Sequence, residues 1–362
     1  MFRLSAVDAI NPAFERMKAM LFRPFRFKTW LKIGFIGWLA GAGTSGGFNY
    51  RGGLPGGSEG GTAGHDVEQT IRVFLSEHMI LVIMAVALTM ALSVAFLYLS
   101  CRFRFILLDS VLERDPQIAR GWWRYGGPAN RYFGFLICYM LACAVLLGLI
   151  LGLPLWRAYK SGVFTGDNPF PALFGYLIPI LLGVLVLVMV AAIITSLVND
   201  FMVPILALDG TTIGGAWSRL KEMITAEPWA FAGYLGMKLV LSIAAGVAVG
   251  IAMVVIILVL AIPTAIVVVV FVLLLKNAGP AGMVIGIILA AIGILVAVGL
   301  LLVLSILASA PVAVFFTSYS FYFFGGRYPR LGALLWPQTP APVTPAPLVP
   351  PPPPLPGAAP AM

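Results

Sequence analysis

Charge is what this chain has least of. Only 10% of its 362 residues are Asp, Glu, Lys or Arg, against about 25% in a typical soluble domain. That excludes an ordinary water-soluble fold. Histidine and cysteine are also scarce, at two and three residues. Cys138 and Cys143 fall in one apolar run and Cys101 at the end of another, so neither a disulfide framework nor a metal-ligand spacing follows. There is no H-E-x-x-H, no Ser/His pair and no pair of carboxylates within an apolar run. Such groups are what a membrane hydrolase or a proton relay would place inside the bilayer. We therefore expect no catalytic residues, no cofactor, no metal site and no enzymatic activity.

What is abundant is apolar surface: 60% of the residues are hydrophobic. Residues 79–99, 132–156 and 171–198 carry no charge, and each exceeds the ~18 residues that mark a membrane helix. They do not alternate polar with apolar, as barrel strands would. The expected fold is an all-α, polytopic transmembrane helical bundle of about six spans. Residues 229–324 leave the number open between six and eight. Read as two helices, that region gives runs of about 45 residues, or roughly 67 Å against a ~30 Å core. Pro263 and Pro311 are candidate breaks. Either four spans lie here, or two spans flank an apolar hairpin bearing Lys276. Lys238 and Lys276 are the candidate intramembrane polar residues. Lys238 lies seven residues past Phe231, close enough to reach the surface. The pairs Gly246/Gly250 and Gly282/Gly286 have the G-x-x-x-G spacing of close helix packing.

The formal charge is +9, which on a soluble face would suggest nucleic acid. Its placement suggests topology instead. Seventeen Lys and Arg fall in residues 3–32, 102–131, 219–221 and 327–330, and five fall in the intervening loops. This is the positive-inside distribution for a chain with both termini cytoplasmic. The expected setting is the bacterial inner membrane. The partners are then the bilayer and its anionic headgroups, with no nucleic acid and with homo-oligomerisation open. The first 29 residues are basic and amphipathic and show no secretory core.

A short motif recurs, I-x-x-[AG]-[WF]-x-R. It appears as Ile10, Phe14 and Arg16, as Ile118, Trp122 and Arg124, and as Ile213, Trp217 and Arg219. Each copy precedes an apolar run. The second and fourth spans and the last one close on SCRFRF (100–105), SLVNDF (196–201) and SYSFYF (318–323). The expectation is a transmembrane domain over 1–330 made of three parallel units, about 5–105, 106–208 and 209–328. Each unit has a cytoplasmic amphipathic helix and two spans. Asp115-Pro116 suits an N-cap followed by Pro at the first helical position. Asn11-Pro12 would begin the first helix just after Ile10. Gly126-Gly127-Pro128 should turn the chain from the second surface helix into its span. Trp122, Trp123, Tyr125 and Tyr132 suit the headgroup layer, with Arg120, Arg124 and Arg131 reaching phosphates. A specific ligand site at this belt is the alternative.

A tryptophan, an asparagine seven residues on and a glycine beyond it (Trp123, Asn130, Gly134), on a surface helix leading into a span, resemble a group of bacterial polytopic membrane proteins. That group includes the membrane domain attached to some glycerophosphodiester phosphodiesterases and uncharacterised stand-alone relatives. AFERMKAMLFRPFRFKTWLKIGF (13–35) is similar to the start of the stand-alone members. The resemblance implies a fold and a location. No phosphodiesterase domain is present, so that activity is not implied.

Residues 41–78 form a Gly-rich extracytoplasmic loop. It lacks G-K-[ST], which removes a P-loop reading. His65, Asp66, Glu77 and His78 are too loosely spaced for a metal site. Residues 331–362 form a proline-rich cytoplasmic tail, expected to be extended and without a core. VPPPPPLP within it has the composition of a groove-binding segment. Two functional expectations remain. The first is a non-enzymatic membrane scaffold or accessory component. The second is a transporter or channel for a lipid-like or small polar solute.

Overall fold

The computed structural model describes residues 4–42, 78–161, 169–275 and 279–336. Their regular structure is helical apart from one isolated bridge between Phe22 and Phe25. In order they are α1 (Ile10–Leu21), α2 (Phe27–Ala42), α3 (Met79–Glu113), α4 (Ile118–Arg124), α5 (Gly126–Lys160) and α6 (Pro169–Leu197). A π-helical turn (Val198–Met202) runs on into α7 (Val203–Asp209). Then come α8 (Ile213–Ala226), α9 (Pro228–Leu275), α10 (Gly279–Gly325) and α11 (Pro329–Leu335).

Among the described residues, five stretches are long and apolar enough to cross a bilayer: Met79–Glu113, Gly126–Lys160, Phe174–Asp209, Pro228–Leu260 and Ile288–Gly325. The chain is a multi-pass membrane protein. Their outward side chains are bare, with Ile80 78% and Leu295 72% exposed. In water such faces would form a continuous apolar surface; in lipid they are the solvated side. α2 is apolar too, but its 16 described residues fall short of a full crossing.

The region 229–324 departs from both sequence expectations. α9 and α10 are continuous helices of 48 and 47 residues. Neither Pro263 nor Pro311 interrupts them, so neither four short spans nor a separate re-entrant hairpin is seen. A proline removes one N–H and kinks the helix. A full break in apolar surroundings would expose several backbone groups, at several kcal/mol each. The helix therefore continues.

α2 is wedged between α3 and α10. Its glycines permit this. A Cβ on Gly34 would lie 2.4 Å from the Ile306 carbonyl oxygen, and one on Gly37 would lie 2.5 Å from the Ala313 Cβ. Ser309 Oγ donates to the Gly34 carbonyl at 2.7 Å, and Trp30 Nε1 to the Leu307 carbonyl at 3.0 Å. The G-x-x-x-G expectation placed close packing elsewhere: a Cβ on Gly246 meets open space.

The core lies at one end of the bundle. Phe105, Tyr132, Phe201, Tyr234, Tyr319 and Phe323 are fully buried there. Phe201 sits 5.0 Å from the Tyr234 ring centre and 5.2 Å from that of Phe231, and Tyr234 stacks on Tyr319 at 5.1 Å. Phe105, Phe201 and Phe323 are the last residues of the three closing segments.

Candidate functional site at the motif end

The three motif helices occupy this same end. α1, α4 and α8 start at Ile10, Ile118 and Ile213 respectively. Two expected starts move. Asp115-Pro116 precedes α4 rather than opening it, because the Asp115 carboxylate accepts from Gln117 Nε2 at 2.7 Å instead of capping the helix. Asn11 and Pro12 lie within the first turn of α1. Proline is tolerated there because the N–H it lacks would have no helical partner. A single residue, Tyr125, separates α4 from α5, and Gly126-Gly127-Pro128 already belong to α5.

The small position of the motif is buried in every copy: Ala13, Gly121 and Ala216. At Gly121 a Cβ would stand 3.1 Å from Ile106 Cγ1, so the helix crosses α3 at close range. The aromatic position behaves otherwise. Phe14 and Trp217 are 43% and 42% exposed. Trp122 lies against the Arg102 guanidinium at 4.7 Å, while Trp123 is left 83% exposed.

Each motif arginine has partners within the chain. Arg16 is buried and donates to the carbonyls of Val111 and Leu112 at the C-terminal end of α3. That arrangement satisfies helix-end acceptors and places positive charge at the negative end of the helix dipole. Arg124 pairs with Asp109 at 3.4 Å and Glu113 at 3.0 Å, and Arg120 joins both carboxylates. Arg219 pairs with Asp209 at the end of α7, and Arg330 meets Asp209 at 2.8 Å. Arg131 donates to the carbonyls of Gly210 and Thr211. Two buried aspartates, Asp109 and Asp209, thus each gather two arginines. The Tyr125 hydroxyl donates to Asp109 at 2.9 Å. Burial first, then the Asp109 carboxylate, pushes the Tyr125 phenol up to about 12. Tyr328 beside Asp209 is also shifted up, again mainly by burial.

A third polar centre went unseen in the sequence. Lys238 of α9 donates to Asp200 and, at 2.8 Å, to Ser196 Oγ. The Tyr234 hydroxyl donates to Asp200 at 2.9 Å, and the Tyr132 hydroxyl donates to Asn199 Oδ1. Asn199 and Asp200 both lie on the π-helical turn, a distortion frequent at functional sites. The lysine expected to reach the surface is instead held by a partner 38 residues away in sequence. A signal was available. Lys238 and Asp200 are oppositely charged residues near the same ends of adjacent apolar runs, where an unpaired charge is costly. Side-chain exposures of 21% and 15% leave the pair partly accessible.

Lys276, the residues of the Gly-rich loop between 43 and 77, and the tail beyond 336 lie outside the described residues. Trp123, Asn130 and Gly134, which carried the family resemblance, are exposed on α4 and α5.

Residues 4–334 match a family described as a family of unknown function (DUF7544), and the chain belongs to it. No curated protein and no solved structure matches. Nothing in these comparisons links the chain to the membrane domain of glycerophosphodiester phosphodiesterases.

Proposed function

We propose that the protein is a non-enzymatic scaffold or accessory component of the bacterial inner membrane, with the motif end of the bundle and both termini in the cytoplasm, an arrangement that requires one crossing between residues 27 and 78 in addition to the five long helices. The observation that carries this reading is the direction of the motif arginines. Arg16, Arg124 and Arg219 bond to helix ends and carboxylates of the same chain, which supports a motif that assembles the bundle rather than one that presents a binding site. The contacts also suit three parallel units arranged in a ring. α1 packs on α10, α4 on α3 and α8 beside α7, each a motif helix against the closing helix of the unit before it, with the last joined to the first. Purification in native nanodiscs should recover the protein in a complex larger than itself. Saturable solute uptake by the protein alone in proteoliposomes, abolished by Lys238→Met at unchanged abundance, would overturn this reading.

That outcome would favour the second reading, a carrier for a lipid-like or small polar solute. Its support is the Lys238–Asp200 pair on the π-helical turn. An ion pair inside a bilayer-embedded bundle is a default functional candidate.

A further inference from the structure

A shallow, open groove runs along the exposed face of α3 past Ala87, Met90, Ala91, Val94, Ala95 and Tyr98, with Phe133 of α5 at one end. Ala87, Ala91 and Ala95 recur every fourth residue, so they form one smooth stripe along α3. Toward the motif end the groove closes on an aromatic corner, where Phe133 meets Tyr98 edge-on at 5.4 Å. One turn beyond Tyr98 stands Arg102.

Arg102 differs from Arg120, Arg124 and Arg219, which pair with carboxylates. Its Nε and Nη2 donate to the Tyr98 hydroxyl at 3.0 and 2.7 Å, and its Nη1 to the Trp122 carbonyl at 2.7 Å. Its guanidinium packs over the Tyr98 and Trp122 rings. All its partners are neutral, and no carboxylate among the described residues pairs with it. A guanidinium has five donor hydrogens, so two remain. A fixed, half-buried cation without a counterion draws an anion, and the oxygens of a phosphate suit the guanidinium fork. Depth agrees with this. Met79 begins α3, and the 23 residues from there to Arg102 span about 35 Å, so Arg102 stands at the edge of a ~30 Å core. Ala87 lies about 22 Å inward from Arg102, past the middle of that core.

We infer that this groove is a binding site for one anionic phospholipid, with its phosphate on Arg102 and an acyl chain along the Ala87–Ala91–Ala95 stripe. The site does not depend on whether the protein is a scaffold or a carrier.

The test is native mass spectrometry of protein purified in mild detergent and offered phosphatidylglycerol or phosphatidylcholine. The expected result is one phosphatidylglycerol retained per chain, at least tenfold in preference to phosphatidylcholine. Arg102→Gln should remove the preference and Arg102→Lys should keep most of it. Ala91→Phe, which fills the groove and leaves the cation in place, should lower retention of both lipids. Because Arg102 also ties α3 to α4, each variant is first required to melt as the wild type does; if Arg102→Gln does not, Ala91→Phe alone decides. Retention unchanged by Ala91→Phe, or no preference between the two lipids in the wild type, overturns the site. So does displacement of the lipid by millimolar inorganic phosphate, which would mean an ion site without a chain groove.

Discussion

Lys238 and Asp200 face each other across two membrane helices, with Ser196 and Tyr234 completing the shell. Removing one partner leaves the other charge in a largely apolar setting, which costs 3–5 kcal/mol for fully buried pairs. Partial exposure reduces that here. Lys238→Met and Asp200→Asn should each destabilise by about 1–3 kcal/mol. The double variant should lose less than the two singles combined. Thermal melting in detergent measures all three, and strictly additive losses would mean that the two side chains do not act as a pair.

Gly34 should be the least replaceable of the described glycines. Gly34→Ala forces the Ile306 carbonyl and α2 apart, and overpacking of this kind costs about 1–3 kcal/mol. Gly246→Ala faces open space and should leave the melting temperature unchanged or slightly raised, because alanine is the better helix former. If the two substitutions behaved alike, α2 could not be seated on α10 as described.

The two adjacent tryptophans should separate. Trp122→Ala removes the surface stacked on Arg102 and should lower the folded amount in the membrane. Trp123→Ala, at an 83% exposed position, should leave it close to wild type. Immunodetection of membrane fractions gives both numbers, and equal losses would contradict the placement of Trp122.

Tyr125 makes a pH-dependent prediction. Its phenol titrates near 12 in the folded protein, against 10 ordinarily. A raised value means that its stabilising contribution is complete below pH 10 and is lost as pH rises through 12. Tyr125→Phe should therefore melt below wild type at pH 8, and the gap should close between pH 10 and 12. A gap that persisted unchanged across that window would place the hydroxyl elsewhere than on Asp109.

Topology is tested independently of the bundle. In a cysteine-free background, Glu59→Cys should react with an impermeant thiol reagent in intact cells, and Gln338→Cys should not. The opposite pattern inverts the chain.

The apolar runs and the motif helices could be read from residue type and spacing because burial in lipid and helix amphipathicity are local properties. Ile10, Ile118 and Ile213 even open their helices. What each arginine touches was not legible. Arg16 finds carbonyls 95 and 96 residues away, and Arg124 finds carboxylates on the preceding helix. From sequence these residues have the composition of a headgroup belt. The difference between a phosphate and Asp109 as partner is decided by tertiary packing. The Lys238–Asp200 pair was hidden for the same reason: each residue looked like a single charge near a membrane edge.

The seating of α1 and α2 on α10 also has a consequence for biogenesis. The Tyr319 hydroxyl donates to the Ala6 carbonyl, and Arg327 to that of Leu4, contacts more than 300 residues apart. The ribosome releases α1 and α2 first and α10 last, so these helices can dock early on α3 but wait through the synthesis of all the others for the α10 side of their seat. During that interval the faces of Gly34 and Gly37 meet only lipid. The amino-terminal packing is therefore completed only when the last long helix is in place. A product truncated ahead of α10 would be left with an undocked amino terminus, a natural mark for membrane proteolysis of incomplete chains.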